Sequence, residues 1–483
     1  MNFNLLPHEL IIDNFAGGGG TSTGLEQAFN RPVNVAINHD PKALAMHRVN
    51  HPETRHYCES VWDIDPIQVT GNQPVGLVWL SPDCKHFSKA KGGKPVEKKI
   101  RGLAWVALRW AAKTRPRVIM LENVEEFKTW GDLGVDGKPC PKNKGRTFNT
   151  FVNALIRQGY VVDWRELRAC DYGSPTIRKR FFLIARRDGL KIQWPEPTHG
   201  HPDSIQVKKG ILKPWRTAAE CIDWSIECPS IFTRRRPLAK ATMDRIAAGI
   251  HKFVVNNESP FIVDSVAPVL TECANASNKR SMPADEPLRT ICAQIKGGHH
   301  ALISAHIAKN FSGVIGSSIA NPLHTITAKD HNSLVISHLS KMKKNCTGQK
   351  IDEPIHAMTT VNQFAEVRAF LTAFYGNEKD GNSIGEPLRT IPTRDRFGLV
   401  TVGQQQYQIA DIGFRMLQPV ELFKAQGFPD SYIFEKGLDE TGNEIKLTKT
   451  EQTRMVGNSV CPQLARALVE ANFSHEKKYR GAA

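Results

Sequence analysis

The sequence predicts an α/β fold with a mostly parallel sheet in its first ~187 residues. Two observations predict it. Short apolar runs alternate with segments of helical periodicity from residue 10 to residue 185. A run of glycines, residues 17–20, lies between the first apolar run and the first helical segment. Strands that alternate with helices form parallel sheets, because each helix returns the chain to the edge where the previous strand began.

The predicted elements follow one another in a regular order. Strands are expected at residues 10–15, 33–37, 77–80, 118–121 and 181–185. Helices are expected at residues 22–29, 41–49, 103–113 and 148–157. Ligands bind at the carboxyl ends of the strands in such sheets, so polar residues that directly follow a strand are the candidates for chemistry.

The composition of the chain changes after Arg187. Residues 188–216 are rich in Pro, Gly, His and Lys, which is typical of a boundary or a long connection. Between about 265 and 402 a turn motif recurs four times at intervals of about 33 residues, with its prolines at 287, 322, 354 and 387. We expect a β-rich repeat module that is either purely architectural or presents loops to a partner. From about 411 the helical texture returns, and residues 452–471 end in an amphipathic helix.

Composition limits the class of protein. The 483 residues suffice for two or three domains with a large core, and 40% hydrophobic with 23% charged residues is typical of a globular chain. No apolar run approaches the ~18 residues of a membrane span, and the start of the chain lacks the pattern of a secretory signal. We therefore expect a cytoplasmic protein with no membrane partner.

Charge points to a polyanionic partner. Lys and Arg total 64 against 48 Asp and Glu, a formal net charge of +16 at pH 7. Such an excess favours nucleic acid, although a merely basic soluble protein would show it too. The ten cysteines include no C-x-x-C pair, so their spacing predicts neither a metal site nor a disulfide framework.

The glycine loop from Asp13 to Gly20 follows a strand and precedes a helix. Glycines there let backbone amides approach a ligand, which indicates a nucleotide-type cofactor; a simple tight turn is the alternative. The strict dinucleotide fingerprint fails, because Ser22 stands where Gly or Ala is required. Asp40 and Asp63 are candidates for holding polar parts of the cofactor, or are ordinary helix caps.

Cys84 lies in a polar loop after an apolar strand, beside Lys85 and His86. Cationic neighbours favour a thiolate, so we interpret Cys84 as a nucleophile rather than one more core cysteine.

Three further residues are candidates for catalysis. Glu122 is the first acidic residue after the strand at 118–121, where desolvation would raise its pKa and suit general-acid work; helix capping is the alternative. Arg178 and Arg180 share one face of a strand and can hold carbonyls or phosphates. The alternative is that this segment is an edge strand whose arginines are solvated.

These segments, in this order, resemble the cytosine carbon-5 DNA methyltransferases over residues ~10–187 and ~411–472. The matching segments are Asp13 to Gly20, Pro82-Asp83-Cys84, Glu122-Asn123-Val124, Arg178-x-Arg180, Arg415 to Pro429, and Gly457-Asn458-Ser459-Val460. The sequence departs from the family's pattern at Asp83, where Pro is usual, at Asn38, where an acidic residue is expected, and at Thr176, where Gln is usual.

The resemblance implies a Rossmann-like S-adenosylmethionine-dependent methyltransferase domain with a large inserted target-recognition domain. Residues 1–187 would form the catalytic domain, 188–410 the target-recognition insert with the four repeats, and 411–483 the segment that completes the catalytic domain. The resemblance assigns the cofactor to Phe15, Ala16, Gly17, Gly18, Gly20, Asn38, Asp63, Ile64, Pro82, Asn458 and Ser459.

The implied reaction uses Cys84 as the nucleophile toward carbon 6 of cytosine, while Glu122 protonates or hydrogen-bonds ring nitrogen 3 and the two arginines hold the base. The partner would be double-stranded DNA with the cytosine flipped out. We expect a monomer in a bacterial cell, or in the host cytoplasm if phage-encoded. The alternatives are a dinucleotide-dependent oxidoreductase, a catalytically inactive sequence-specific DNA-binding protein, and, within the family, an RNA substrate.

Overall fold

The computed structural model describes residues 9–82, 102–131, 140–256, 261, 266–273, 281–290, 299–309, 337–341, 349–350, 364–368, 399–402 and 405–480. The chain divides into two compact units. The first contains Met1–Ser225, Ala284–His299 and Leu417–Ala483, and the second contains Ile226–Pro283 and His300–Met416. The domain boundaries expected at residues 187 and 411 stay predictions.

A seven-stranded sheet forms the centre of the first unit. Its strands are Leu10–Asn14 (β1), Val35–Ile37 (β2), Arg55–Tyr57 (β3), Val75–Leu80 (β4), Val118–Asn123 (β5), Val161–Arg168 (β6) and Lys179–Arg186 (β7). The order across the sheet is β3-β2-β1-β4-β5-β7-β6. The first five strands of this order are parallel. β7 pairs antiparallel with β5, and β6 pairs antiparallel with β7. The predicted mostly parallel sheet is therefore confirmed, with its switch point between β1 and β4.

The helices match the predicted alternation. They are Gly20–Phe29 (α1), Pro41–Asn50 (α2), Pro66–Thr70 (α3), Val106–Thr114 (α4), Arg146–Arg157 (α5), Ile205–Lys208 (α6), Lys240–Ile250 (α7, in the second unit), Pro419–Gln426 (α8), Lys449–Asn458 (α9) and Pro462–Arg480 (α10). Short 3-10 turns lie at Leu103–Trp105, Glu125–Thr129, Pro141–Asn143, Ala169–Tyr172 and Ala218–Cys221. Within the described part of the chain, no helix is both long and apolar enough to span a membrane.

Two hydrophobic cores lie on opposite faces of the sheet, because successive side chains of a strand point to opposite sides. Ile12 of β1 belongs to the core that contains Trp110 and Phe151. Its neighbour Ile11 belongs to the core that contains Leu25 of α1 and Leu464 of α10. The C-terminal segment is thus packed into the first unit and shares its core.

The strands of the second unit are Val266–Cys273 (β10), Ser281–Pro283 (β11), His299–Lys309 (β12), Ser337–Lys341 (β13), Gln349–Lys350 (β14), Phe364–Arg368 (β15), Leu399–Val402 (β16) and Gln405–Met416 (β17). They form a five-stranded sheet in the order β11-β10-β12-β17-β16 and a three-stranded sheet in the order β14-β13-β15. Ile246 and Ile250 of α7 pack with Val269, Ile303 and Phe414 of the larger sheet. Short two-stranded ribbons at His199–Gly200 with Lys213–Pro214 (β8, β9) and Lys436–Leu438 with Glu444–Lys446 (β18, β19) complete the strands.

Candidate active site

Glu122 and Arg180 form an ion pair at the end of strand β5. Glu122 ends the apolar run of β5, and the antiparallel register pairs it with Phe182, two residues past Arg180. Arg180 Nε lies 3.2 Å from Glu122 Oε1. Burial raises the pKa of Glu122 above its ordinary value, against the opposing influence of Arg180 and Arg178, as the sequence predicted. A buried carboxyl of this kind retains its proton closer to neutral pH and suits general-acid chemistry.

Arg178 connects residues 178–180, the arginine segment, to the C-terminal segment. The residue is 4% exposed, and its Nη1 donates a hydrogen bond to the Gly457 carbonyl at 3.1 Å. Strand β7, which begins directly after Arg178, lies between β5 and β6. The alternative that these arginines belong to a solvated edge strand is therefore wrong.

The glycine loop makes a tight turn at the carboxyl end of β1. Phe15 and Gly17 have left-handed φ values of 63° and 54°, and Ala16 N donates to Ile37 O at 3.1 Å. A Cβ atom on Gly20 would overlap Ser459 Oγ and the Val460 carbonyl. The structure thus brings together two predicted cofactor segments that lie more than 400 residues apart in the chain.

Tyr432 supports the same loop and was not found by sequence reasoning. Its hydroxyl donates a hydrogen bond to the Gly18 carbonyl. A Cβ atom on Gly19, whose φ is 95°, would overlap the Tyr432 hydroxyl and His51 Nε2. Burial raises the pKa of Tyr432 further above its ordinary value, so the phenol stays a hydrogen-bond donor.

A buried polar chain lies beneath the loop. Asp13 Oδ2 accepts a hydrogen bond from Ser22 Oγ at 2.8 Å, and Ser22 Oγ lies 3.0 Å from His47 Nε2. His47 Nδ1 in turn lies 2.8 Å from His56 Nε2. Burial raises the pKa of Asp13 to about 7 and lowers that of His56 to about 4. Ser22, which breaks the dinucleotide fingerprint, is thus a structural partner of Asp13.

The predicted cofactor residues after β2 and β3 have distinct surroundings. Asn38 Oδ1 accepts from Asp40 N at 2.8 Å. Asp40 caps α2, accepting from Lys42 N at 3.0 Å, so its helix-cap alternative is confirmed. Asp63 is exposed; Asp65, two residues later, is the residue that caps α3, so the capping alternative for Asp63 is wrong.

The loop that carries Cys84 begins beside Glu122. Asn123 Nδ2 donates to the Pro82 carbonyl at 3.3 Å, and Ser81 N donates to Asn14 O at 3.2 Å. Asp83 and Cys84, with Lys85 and His86, lie outside the described residues. The predicted nucleophile therefore stays a prediction, although the chain leading to it starts at the carboxyl edge that holds Glu122.

Known proteins are similar to part of this chain. The Type II methyltransferase M.XorII of Xanthomonas oryzae is 32% identical over 196 residues, which are 39% of this chain and 43% of that protein. M.AquIA of Picosynechococcus is 27% identical over 220 residues, 44% of this chain and 87% of that protein. The chain thus spans less than half the length of the first of these relatives.

Among solved structures, the Entamoeba histolytica methyltransferase EhMeth aligns with a TM-score of 0.46 at 14% identity, over 97% of this chain and 98% of that one. A family model described as C-5 cytosine-specific DNA methylase matches residues 10–235 and 289–474. These two ranges cover most of the chain and include every segment that carried the resemblance. The chain belongs to the C-5 cytosine-specific DNA methylase family.

Proposed function

We propose that this chain is a DNA (cytosine-5-)-methyltransferase that transfers a methyl group from S-adenosylmethionine to carbon 5 of a cytosine in double-stranded DNA. The observation that carries the proposal is the buried Glu122 carboxyl, held by Arg180 at 3.2 Å beside the start of the Cys84 loop. Membership of the family supports the reaction class. It also disfavours the oxidoreductase alternative.

The glycine loop is the proposed cofactor site. Phe15, Ala16, Gly17, Gly18 and Gly20 would hold S-adenosylmethionine, together with Asn38, Asp63, Ile64, Pro82, Asn458 and Ser459. The left-handed turn at Phe15 and Gly17 supports this fit, because it opens the loop at the switch point between β1 and β4. When bound, S-adenosylmethionine supplies an electrophilic methyl group on a sulfonium.

The protein's own groups would activate the cytosine. The Cys84 thiolate forms a bond to carbon 6, and the electron pair of the 5,6 double bond moves to the bond between carbons 4 and 5. The electron pair of the double bond between carbon 4 and nitrogen 3 moves to nitrogen 3. Protonated Glu122 donates to ring nitrogen 3, which stabilises the resulting enamine. Arg178 and Arg180 are proposed to hold the base through its carbonyl oxygen. After carbon 5 has been methylated, a base such as water removes its proton, and the electron pair of that C–H bond re-forms the 5,6 double bond and expels the Cys84 thiolate. Nitrogen 3 returns its proton to Glu122.

The second compact unit and the excess of Lys and Arg over Asp and Glu are proposed to bind the DNA. A cytosine inside a duplex cannot reach the carboxyl edge of the sheet, so it must be flipped out. The formal net charge of +16 favours contacts with phosphates. We propose that the insert at 188–410 reads base edges and so selects the target sequence.

Methyl incorporation into DNA followed by bisulfite sequencing tests the proposal. The wild-type chain should label cytosine with the methyl group of S-adenosylmethionine, and Cys84→Ala should abolish labelling while DNA binding survives. Cys140→Ala is the matched control for the loss of a thiol, because Cys140 is a free, half-buried cysteine outside the proposed site. A Cys84→Ala protein that still methylates cytosine would refute the covalent mechanism. A wild-type protein that binds DNA without labelling it would favour the alternative of a catalytically inactive DNA-binding protein.

A further inference from the structure

The first copy of the repeated turn motif lies inside the first compact unit, apart from most of the repeat region. Ala284–His299 belongs to this unit, whereas His300–Met416 belongs to the second. Leu288, at the centre of the copy Glu286-Pro287-Leu288-Arg289-Thr290, is 1% exposed. This copy is therefore part of the same body as Glu122 and Arg178.

Backbone hydrogen bonds hold the copy on both sides. Leu288 N donates to Pro175 O at 2.8 Å, and Ile177 N donates to Leu288 O at 2.8 Å, so that Leu288 and Thr176 form a parallel bridge. On the other side, Ala218 N donates to Glu286 O at 2.7 Å and Ala219 N to Ala284 O at 2.7 Å. Both edges of the short segment are thus paired, which fixes its position against residues 175–177.

Thr176 links the copy to Arg178. Thr176 is fully buried, and its hydroxyl accepts a hydrogen bond from Arg178 N at 3.3 Å. The same hydroxyl donates to the Arg289 carbonyl at 3.5 Å. One side chain therefore joins the backbone of the repeat to the backbone of an arginine that is proposed to hold the base.

We propose that the first repeat copy packs against residues 175–177 and thereby supports the arginine segment. Thr176 is then a positioning residue, because its hydroxyl bonds to the copy and holds the backbone of Arg178 in place. This inference rests on the proposed function for its catalytic consequence. It also accounts for Thr176 at a position where the family usually has Gln, because a short β-branched hydroxyl fits between the two backbones and reaches both.

The chain contains its own control for this proposal. Residues 386–390 repeat the pentapeptide Glu-Pro-Leu-Arg-Thr of residues 286–290 without change. A substitution at Leu288 and the same substitution at Leu388 therefore alter identical local sequences. Leu288→Pro removes the N–H that donates to Pro175, and Leu388→Pro removes an N–H from the same pentapeptide elsewhere.

The first test is hydrogen exchange at the Ile177 amide, whose acceptor is the Leu288 carbonyl. In the full-length protein we expect slow exchange in the wild type and in Leu388→Pro, and faster exchange in Leu288→Pro. Equal protection in the two variants would overturn the docking of the first copy. This readout needs no activity, so it stands even if the protein does not methylate DNA.

The second test separates positioning from general stability. Thr176→Val should lower kcat by roughly tenfold, the size of effect expected from a small displacement of a group that aligns the substrate, while KM for DNA stays within about twofold. Thr176→Ser keeps the hydroxyl and should restore kcat. Equal kcat in the Val and Ser variants, or an equal loss of kcat in Leu288→Pro and Leu388→Pro, would overturn the positioning role. A wild-type protein that transfers no methyl group to DNA would instead contradict the proposed function and leave the hydrogen-exchange test of the docking unaffected.

Discussion

Replacement of Tyr432 by Phe tests whether the C-terminal segment pre-organises the glycine loop. The change removes the hydroxyl that donates to the Gly18 carbonyl and leaves the buried ring in place. Such a hydrogen bond is worth ~0.5–1.5 kcal/mol net, because folding exchanges it for bonds to water. If the bond holds the loop in its binding conformation, its loss lets the free protein populate other conformations. Binding must then reorder the loop, and the Kd for S-adenosylmethionine should rise by up to about tenfold.

Tyr160→Phe is the matched control. The Tyr160 hydroxyl also donates to a backbone carbonyl, that of Pro116, at 2.8 Å, and the residue is 3% exposed. Both variants should lose a similar free energy of unfolding in urea, about 1 kcal/mol. Only Tyr432→Phe should weaken cofactor binding in isothermal titration calorimetry. A Tyr432→Phe protein that loses stability yet binds S-adenosylmethionine like the wild type would refute the reasoning.

Three further predictions concern the buried carboxyl groups. Glu122→Gln should lower kcat by ~10²–10⁴, the usual contribution of a general acid, with DNA affinity nearly unchanged; steady-state kinetics with near-normal turnover would contradict its role. Because Glu122 must be protonated to act, kcat/KM should fall as pH rises through its pKa. Arg180→Gln removes a cation that lowers that pKa, so the falling limb of the pH profile should move to higher pH, and an unmoved limb would count against the pairing. Asp13 has a pKa near 7 in the folded protein and an ordinary value of 3.8. Between pH 3.8 and about pH 7 the unfolded chain releases a proton that Asp13 keeps in the folded chain. The free energy of unfolding therefore falls as pH rises, by at most ~1.4 kcal/mol per pH unit. Asp13→Asn should remove this fall in the free energy of unfolding, measured with urea between about pH 4 and pH 7. A variant whose free energy of unfolding falls with pH as in the wild type would contradict the raised pKa of Asp13.

Strands buried on both faces could be predicted from the sequence, and edge strands could not. β1, β4 and β5 are continuous apolar runs because neighbours cover them on every side. β3 and β6 lie at the two edges of the sheet, where their side chains are exposed or half-buried, so no continuous apolar run marks them. Pairing with the adjacent strand, which a single sequence does not reveal, makes them strands.

The individual site residues were predictable from their place after apolar runs, but most of their partners were not. The pairing of Glu122 with Arg180 depends on β7 lying antiparallel beside β5, and strand order is not written in local periodicity. Tyr432 bonds to a residue 414 positions away, so no local signal exists for its role. Asp40 shows the opposite case, because the general rule for helix caps described it better than the cofactor hypothesis.

The repeat region shows where pattern and structure diverge. The four copies look equivalent in sequence, yet the first belongs to the unit that holds Arg178. Its pairing with residues 175–177 uses backbone atoms that every copy possesses. The other edge of this copy pairs with the 3-10 turn at Ala218–Cys221, which lies far from it in the sequence, so local pattern does not reveal the contact.

The most direct test of the central claim is covalent capture of the protein on a DNA duplex that carries 5-fluorocytosine at a site the protein methylates. Fluorine at carbon 5 cannot leave as a proton does, so an adduct through Cys84 should persist after methyl transfer. We expect a protein–DNA band that survives denaturation with the wild type plus S-adenosylmethionine, and none with Cys84→Ser. Efficient methylation of the normal duplex without any captured complex on the fluorinated one would contradict the account.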